Sequence, residues 1–148
     1  MKNGEDLIDG SEGMAIGRKN LIAGFWVMAT FMFLGFALVY LRDFAPGAKE
    51  WAAQYSTGKH FETRLAHVHG TLFGFLNIVI GYLLYQIRIC RKGAKVISIS
   101  ALLGLLMPFG ILGEVLLGIS PVFVLVGAGS MTFSMILFGF AIFKHKPD

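Results

Sequence analysis

The chain is predicted to be an all-α integral membrane protein, a bundle of four transmembrane helices with both termini cytoplasmic. Three observations carry that expectation. Hydrophobic residues make up 55% of the 148 positions and charged residues only 15%, against about 25% charged in ordinary soluble domains. The charges gather in short clusters between apolar stretches. Four of those stretches have about 20 residues, the length a helix needs to cross a hydrocarbon layer of about 30 Å.

The four stretches are 21–41, 66–87, 96–117 and 122–143. None alternates polar and apolar residues with the period of two expected of a barrel strand, and four strands could not close a barrel. Spans and connections use nearly the whole chain, so 1–148 reads as one membrane domain without a soluble catalytic module. Residues 1–20, rich in glycine and acids, read as a frayed polar leader. The first apolar run exceeds a signal-peptide core and lacks a small-residue cleavage pattern after it, so it is expected to be retained. Nine basic residues (Lys2, Arg18, Lys19, Arg88, Arg91, Lys92, Lys95, Lys144, Lys146) fall on one side of the four spans and four (Arg42, Lys49, Lys59, Arg64) on the other. Short basic segments resist translocation, which sets the expected orientation in a cell inner membrane.

Residues 42–64 form the one long outer connection. Its PGAKEWAAQY stretch begins with a proline suited to a first helical turn and carries Trp51 and Tyr55 four residues apart. It is expected either to form a short helix at the interface, with the rings at headgroup depth, or to be a loop with aromatic anchors.

The second span carries the most chemical information. At 100 degrees per residue, His67, Gly70, Gly74, Asn77 and Gly81 fall within an arc of about 80 degrees, which must face protein or a bound group. The glycines admit either a close helix or the flat approach of a large ring, and Asn77 would be costly against lipid. His69 lies about 160 degrees round from His67, so one undistorted helix cannot aim both imidazoles at a single metal. Counting from the helix ends puts His67 and Glu114 in one layer, roughly 5 to 6 Å inside the outer boundary. There Glu114 is positioned to accept a hydrogen bond from a ligating imidazole, to pair with a protonated one, or to reach water or Arg64.

In the third span, GLLMPFG places Pro108 where it removes a helical amide and crowds the carbonyl four residues back, so a bend near Leu103 and Gly104 is expected. The fourth span has a small-residue seam at Gly127, Ser130, Ser134 and Ala141. Met28 and Met32 read as adaptable packing rather than ligands. The single cysteine, Cys90, excludes an internal disulfide. No Walker loop, dinucleotide fingerprint, CxxC or HExxH occurs. The formal charge of +4 is explained by membrane orientation and by anionic lipid, so no nucleic-acid partner is expected.

The HVHG element followed by a glycine-rich apolar run resembles the histidine-bearing second helix of the heme-copper oxidase catalytic subunit superfamily, in which a histidine near the outer end binds a low-spin heme. The resemblance covers about residues 65–84. It implies His67 or His69 as an axial (metal) ligand of a b-type heme, Gly70 and Gly74 as a surface accepting the ring, and Arg64 or Glu114 in contact with a propionate or a ligating imidazole. The chain departs from that family in being far shorter and in having only His60 and His145 besides the pair, both read as peripheral. A bis-histidine heme would need ligands from two subunits, or His60 folded inward. Oxygen reduction by this chain alone is not expected, and no catalytic residue is assigned. Three readings stay open: a heme-binding oligomer for electron transfer or sensing; a small channel, transporter or quinone-binding protein using His67, Asn77 and Glu114; and a membrane accessory protein. The expected partners are the lipid bilayer, further copies of the chain, and a quinone or redox protein.

Overall fold

A computed structural model describes residues 8–144. His145, Lys2 and Lys146 lie outside them. The described chain is helical: α1 (Gly10–Asp43), α2 (Ala48–Ala53), α3 (Gly58–Gln86), α4 (Arg91–Gly104), α5 (Leu106–Leu117) and α6 (Val122–Lys144). Four segments are long and apolar enough to span a membrane: α1, α3, α4 with α5, and α6. Their outward faces carry exposed large apolar side chains such as Trp26, Phe33, Leu125 and Phe143, the surface expected against lipid rather than water.

α1 starts well before the apolar run. The Asp9 carboxylate accepts the Glu12 backbone N–H at 2.8 Å, capping the helix. The stretch from Gly10 to Asn20 is therefore helix and not frayed leader. With 34 residues α1 is about 51 Å long, well beyond the hydrocarbon thickness. Just ahead of it, Ile8 is buried, and its N–H donates to the Ile89 carbonyl between α3 and α4 at 3.0 Å.

α1 and α3 form the tightest pair. On α1, Gly17, Gly24, Phe31 and Leu38 recur every seven residues and are buried. On α3, Gly74 and Gly81 meet them in reverse order, with Gly70, Asn77 and Leu84 on the adjoining row. A methyl group on Gly17 would collide with the Gly81 carbonyl oxygen, and one on Gly24 would lie 2.6 Å from the Gly74 oxygen. The backbones touch because both helices lack side chains at the crossing, the route to tight packing when lipid offers no hydrophobic drive.

Asn20, Asn77 and Ser98 tie α1, α3 and α4 together. Asn20 Nδ2 donates to Asn77 Oδ1 (2.9 Å) and to the Ser98 carbonyl (3.0 Å), the Ser98 hydroxyl donates to Asn20 Oδ1, and Asn77 Nδ2 donates to the Phe73 and Ala101 carbonyls (3.0 Å each). Both asparagines are 0% exposed. All four of their amide hydrogens have acceptors, which removes the cost of burying them.

The third span breaks at Leu105, between α4 and α5, as the proline requires: Pro108 cannot bond to the Gly104 carbonyl, and the Leu105 N–H turns back to Leu102 at 3.1 Å. α5 ends on Gly118, whose φ of 67° suits a residue without Cβ, and its N–H bonds to the Glu114 carbonyl at 3.0 Å. α6 returns against α5 through Gly127, packed on the Met107 backbone, and against α4 through Ser134, whose hydroxyl donates to the Ile97 carbonyl at 2.9 Å. In the seam read from the sequence Gly127 and Ser134 are buried, whereas Ser130 and Ala141 are half-buried.

Candidate functional site at the histidine-bearing end

α3 brings three histidines to the end of the bundle that carries the long connection. His67 crosses to α1. Its Nδ1 lies 2.6 Å from the Phe31 carbonyl oxygen, and a carbonyl can only accept, so Nδ1 carries the hydrogen and Nε2 keeps its lone pair. Space for the ring is provided by Gly35, where an added Cβ would lie 2.7 Å from His67 Cε1.

His69 uses its own helix. Its Nδ1 donates to the Leu65 carbonyl at 2.8 Å, and its ring meets Phe73 edge-on with centroids 6.1 Å apart. Here too Nε2 is left as the basic nitrogen. Both imidazoles are half-buried. The buried face of α3, marked by Ala66, Gly70, Phe73, Gly74, Asn77 and Ile80, runs between them, so His67 and His69 flank it at opposite edges.

His60 is not peripheral. It is 2% exposed, stacked on Trp51 (centroids 5.0 Å, interplanar angle 19°) and edge-on to Tyr55 (5.5 Å). Its Nδ1 donates to the Trp51 carbonyl at 2.9 Å. Of the two readings of the connection the structure has the short helix, α2, with Trp51 turned onto α3. Arg64 completes this cap. Its guanidinium lies 3.7 Å from the Tyr55 ring centroid and donates to the Tyr55 carbonyl at 3.0 Å.

Among the described residues, no hydrogen bond or ion pair joins Glu114 to His67, His69 or Arg64, and Glu114 is exposed. The acceptor for the His67 Nδ1 hydrogen is the Phe31 carbonyl, which takes the first of the three roles open to Glu114 and leaves the exposed carboxylate with the outward-reaching one. Gly70 is covered by the Phe31 ring, and Gly74 by Gly24 and Met28, so of the two uses open to these glycines the chain makes the close helix contact. Asn77 enters the closed network below them. Among the described residues no three histidine, cysteine or carboxylate side chains gather as a ready metal site. The donor chemistry of His67 and His69 thus fits an axial ligand, while the glycine face is already filled.

Sequence reasoning missed Gly35, the Phe31 carbonyl and the burial of His60. One signal was present: His60 and His67 are separated by a heptad that continues to Gly74 and Gly81, so all four lie on the α1-facing stripe. These features describe a helical membrane protein with four spanning segments and, at one end, two half-buried imidazoles whose Nε2 atoms make no hydrogen bond among the described residues. No protein-family description, curated protein or solved structure matches the chain.

Proposed function

We propose that this protein is a multi-pass protein of the cell inner membrane that binds a b-type heme, with Nε2 of His67 or His69 as axial base. The observation that supports the reading best is the pattern the two imidazoles share: each gives its Nδ1 hydrogen to a main-chain carbonyl and keeps the Nε2 lone pair. Metal-ligating histidines are held in this way, because the carbonyl fixes the tautomer and raises the basicity of the opposite nitrogen.

A bound heme would supply one-electron chemistry inside a layer that otherwise excludes charge. The chain's own residues do the holding: the Phe31 carbonyl sets the tautomer of His67, and Gly35 sets the place of its ring. Since the two histidines flank α3 on opposite edges and His60 is held under Trp51, a second axial base would come from another copy of the chain. The excess of basic residues at the α3–α4 end supports an orientation with both termini in the cytoplasm. A polar path through the span is less favoured, because Asn77 has no unused amide hydrogen.

Absorption spectra of the His67→Ala and His69→Ala variants, purified in mild detergent after expression with ample heme, test the assignment. Loss or a strong shift of the Soret band in at least one correctly assembled variant is expected. A heme spectrum unchanged in both would remove both residues as ligands.

A further inference from the structure

At the opposite end of the bundle α1 and α4 pack side by side, and the surface groove that adjacent helices leave along their seam changes its chemistry along its length. Two contacts fix the register of its walls. Glu12 meets Arg91 at 3.7 Å, and Asn20 bonds to the Ser98 carbonyl, so α1 and α4 run side by side in the same direction. On α1, Lys19 and Trp26 follow Glu12 at seven-residue intervals. On α4, Lys95 and Ile99 follow Arg91 at four-residue intervals. Both series keep roughly to one helix edge. Lys19 is therefore level with about residue 97 of α4, within one turn of Lys95 in depth.

Both lysines are exposed, and among the described residues no salt bridge joins either to a carboxylate. Beyond them the walls become apolar and open, with Trp26 73% and Ile99 57% exposed. Two exposed cations at about one depth on neighbouring helix edges attract an anion, and the apolar continuation disfavours a hydrated one in the remainder. A cationic mouth leading into apolar walls matches a headgroup phosphate joined to acyl chains.

We propose that the α1/α4 groove binds an anionic phospholipid, its phosphate held between Lys19 and Lys95 and an acyl chain lying against Trp26 and Ile99. Trp26 reports occupancy. With Trp51→Phe removing the other tryptophan, the full chain is reconstituted in phosphatidylcholine vesicles containing increasing brominated phosphatidylglycerol, or brominated phosphatidylcholine as reference. The expected result is quenching of Trp26 by the anionic lipid well above its mole fraction, with each lysine contributing about fivefold to the preference. Lys19→Gln with Lys95→Gln removes that preference, whereas Lys59→Gln, at the other end, keeps it. Inorganic phosphate in the buffer should not displace the lipid. Equal quenching by the two lipids, a preference that survives loss of both lysines, or displacement by free phosphate each overturns the proposal. Native mass spectrometry of the chain with Trp51 intact gives a second reading: retained phosphatidylglycerol adducts that disappear with both lysines replaced support it, and adducts unchanged by the replacement contradict it.

Discussion

His67 donates its Nδ1 hydrogen to the main-chain oxygen of Phe31, on a different helix and in the turn where Gly35 leaves room for the imidazole. This contact orients the basic nitrogen of the ring, and it exists because α1 and α3 approach closely enough for a side chain on one to reach the backbone of the other. The glycines below it and the imidazole above it belong to one packing arrangement.

Gly35→Ala should therefore move His67. The added methyl would sit 2.7 Å from Cε1, closer than packed carbons tolerate, and the expected cost is about 1–3 kcal/mol. Nitrogen-15 spectra of labelled imidazole should show the His67 Nδ1–H signal shifted or lost while that of His69 stays in place. Two unchanged signals would mean that Gly35 does not set the ring.

The glycine contacts predict a sharp contrast between positions. A methyl on Gly17 meets the Gly81 backbone, which cannot rotate away, whereas one on Gly139 meets nothing within 4 Å. Gly17→Ala should destabilise the bundle by about 1–3 kcal/mol and Gly139→Ala by less than about 0.5 kcal/mol. Reversible unfolding in mixed micelles measures both.

Replacing Asn20 by leucine leaves Asn77 Oδ1 without its donor and the Ser98 hydroxyl without its acceptor. Unsatisfied buried groups cost about 1–3 kcal/mol, more than the roughly 0.6 kcal/mol average of interhelical bonds in membranes, because here several bonds fail together. A loss above 1 kcal/mol in the same unfolding assay is expected. A neutral result would show that the network relaxes around the gap.

At the start of α1, the Glu12 backbone N–H and then the Ser11 hydroxyl hold the Asp9 carboxyl below its ordinary value of 3.8. A lowered carboxylate value means that the cap contributes fully above the ordinary value and is lost as pH falls through the lowered one. Carbon-13 titration of Asp9 should give a midpoint below 3.8, moved upward by Ser11→Ala. A midpoint at the ordinary value would contradict the cap.

The four spans were legible in the sequence because each is long and apolar, and a bend near Leu103 and Gly104, one residue from the break at Leu105, was legible because a proline removes a helical amide. The start of α1 was hidden. Its polar residues look like a leader until Asn20 is seen to be satisfied by Asn77 and Ser98, partners 57 and 78 positions away. Glycines at Gly70 and Gly74 allow a helix or a flat ring equally, and only the facing residues on α1 decide between them. His60 looked peripheral because its burial depends on the connection folding back to place Trp51 over it. The spacing of Gly17, Gly24 and Phe31, matched in reverse by Gly81 and Gly74, was a further sequence signal for the α1–α3 contact.

The role proposed for His67 and His69 depends on a bound heme. The direct measurement is the absorption spectrum of the gently purified protein, oxidised and dithionite-reduced, with a pyridine hemochromogen assay on the same sample. A stoichiometric Soret band with sharp alpha and beta bands on reduction is expected. A featureless spectrum after expression with ample heme would contradict it and leave His67 and His69 to a quinone-binding or accessory role.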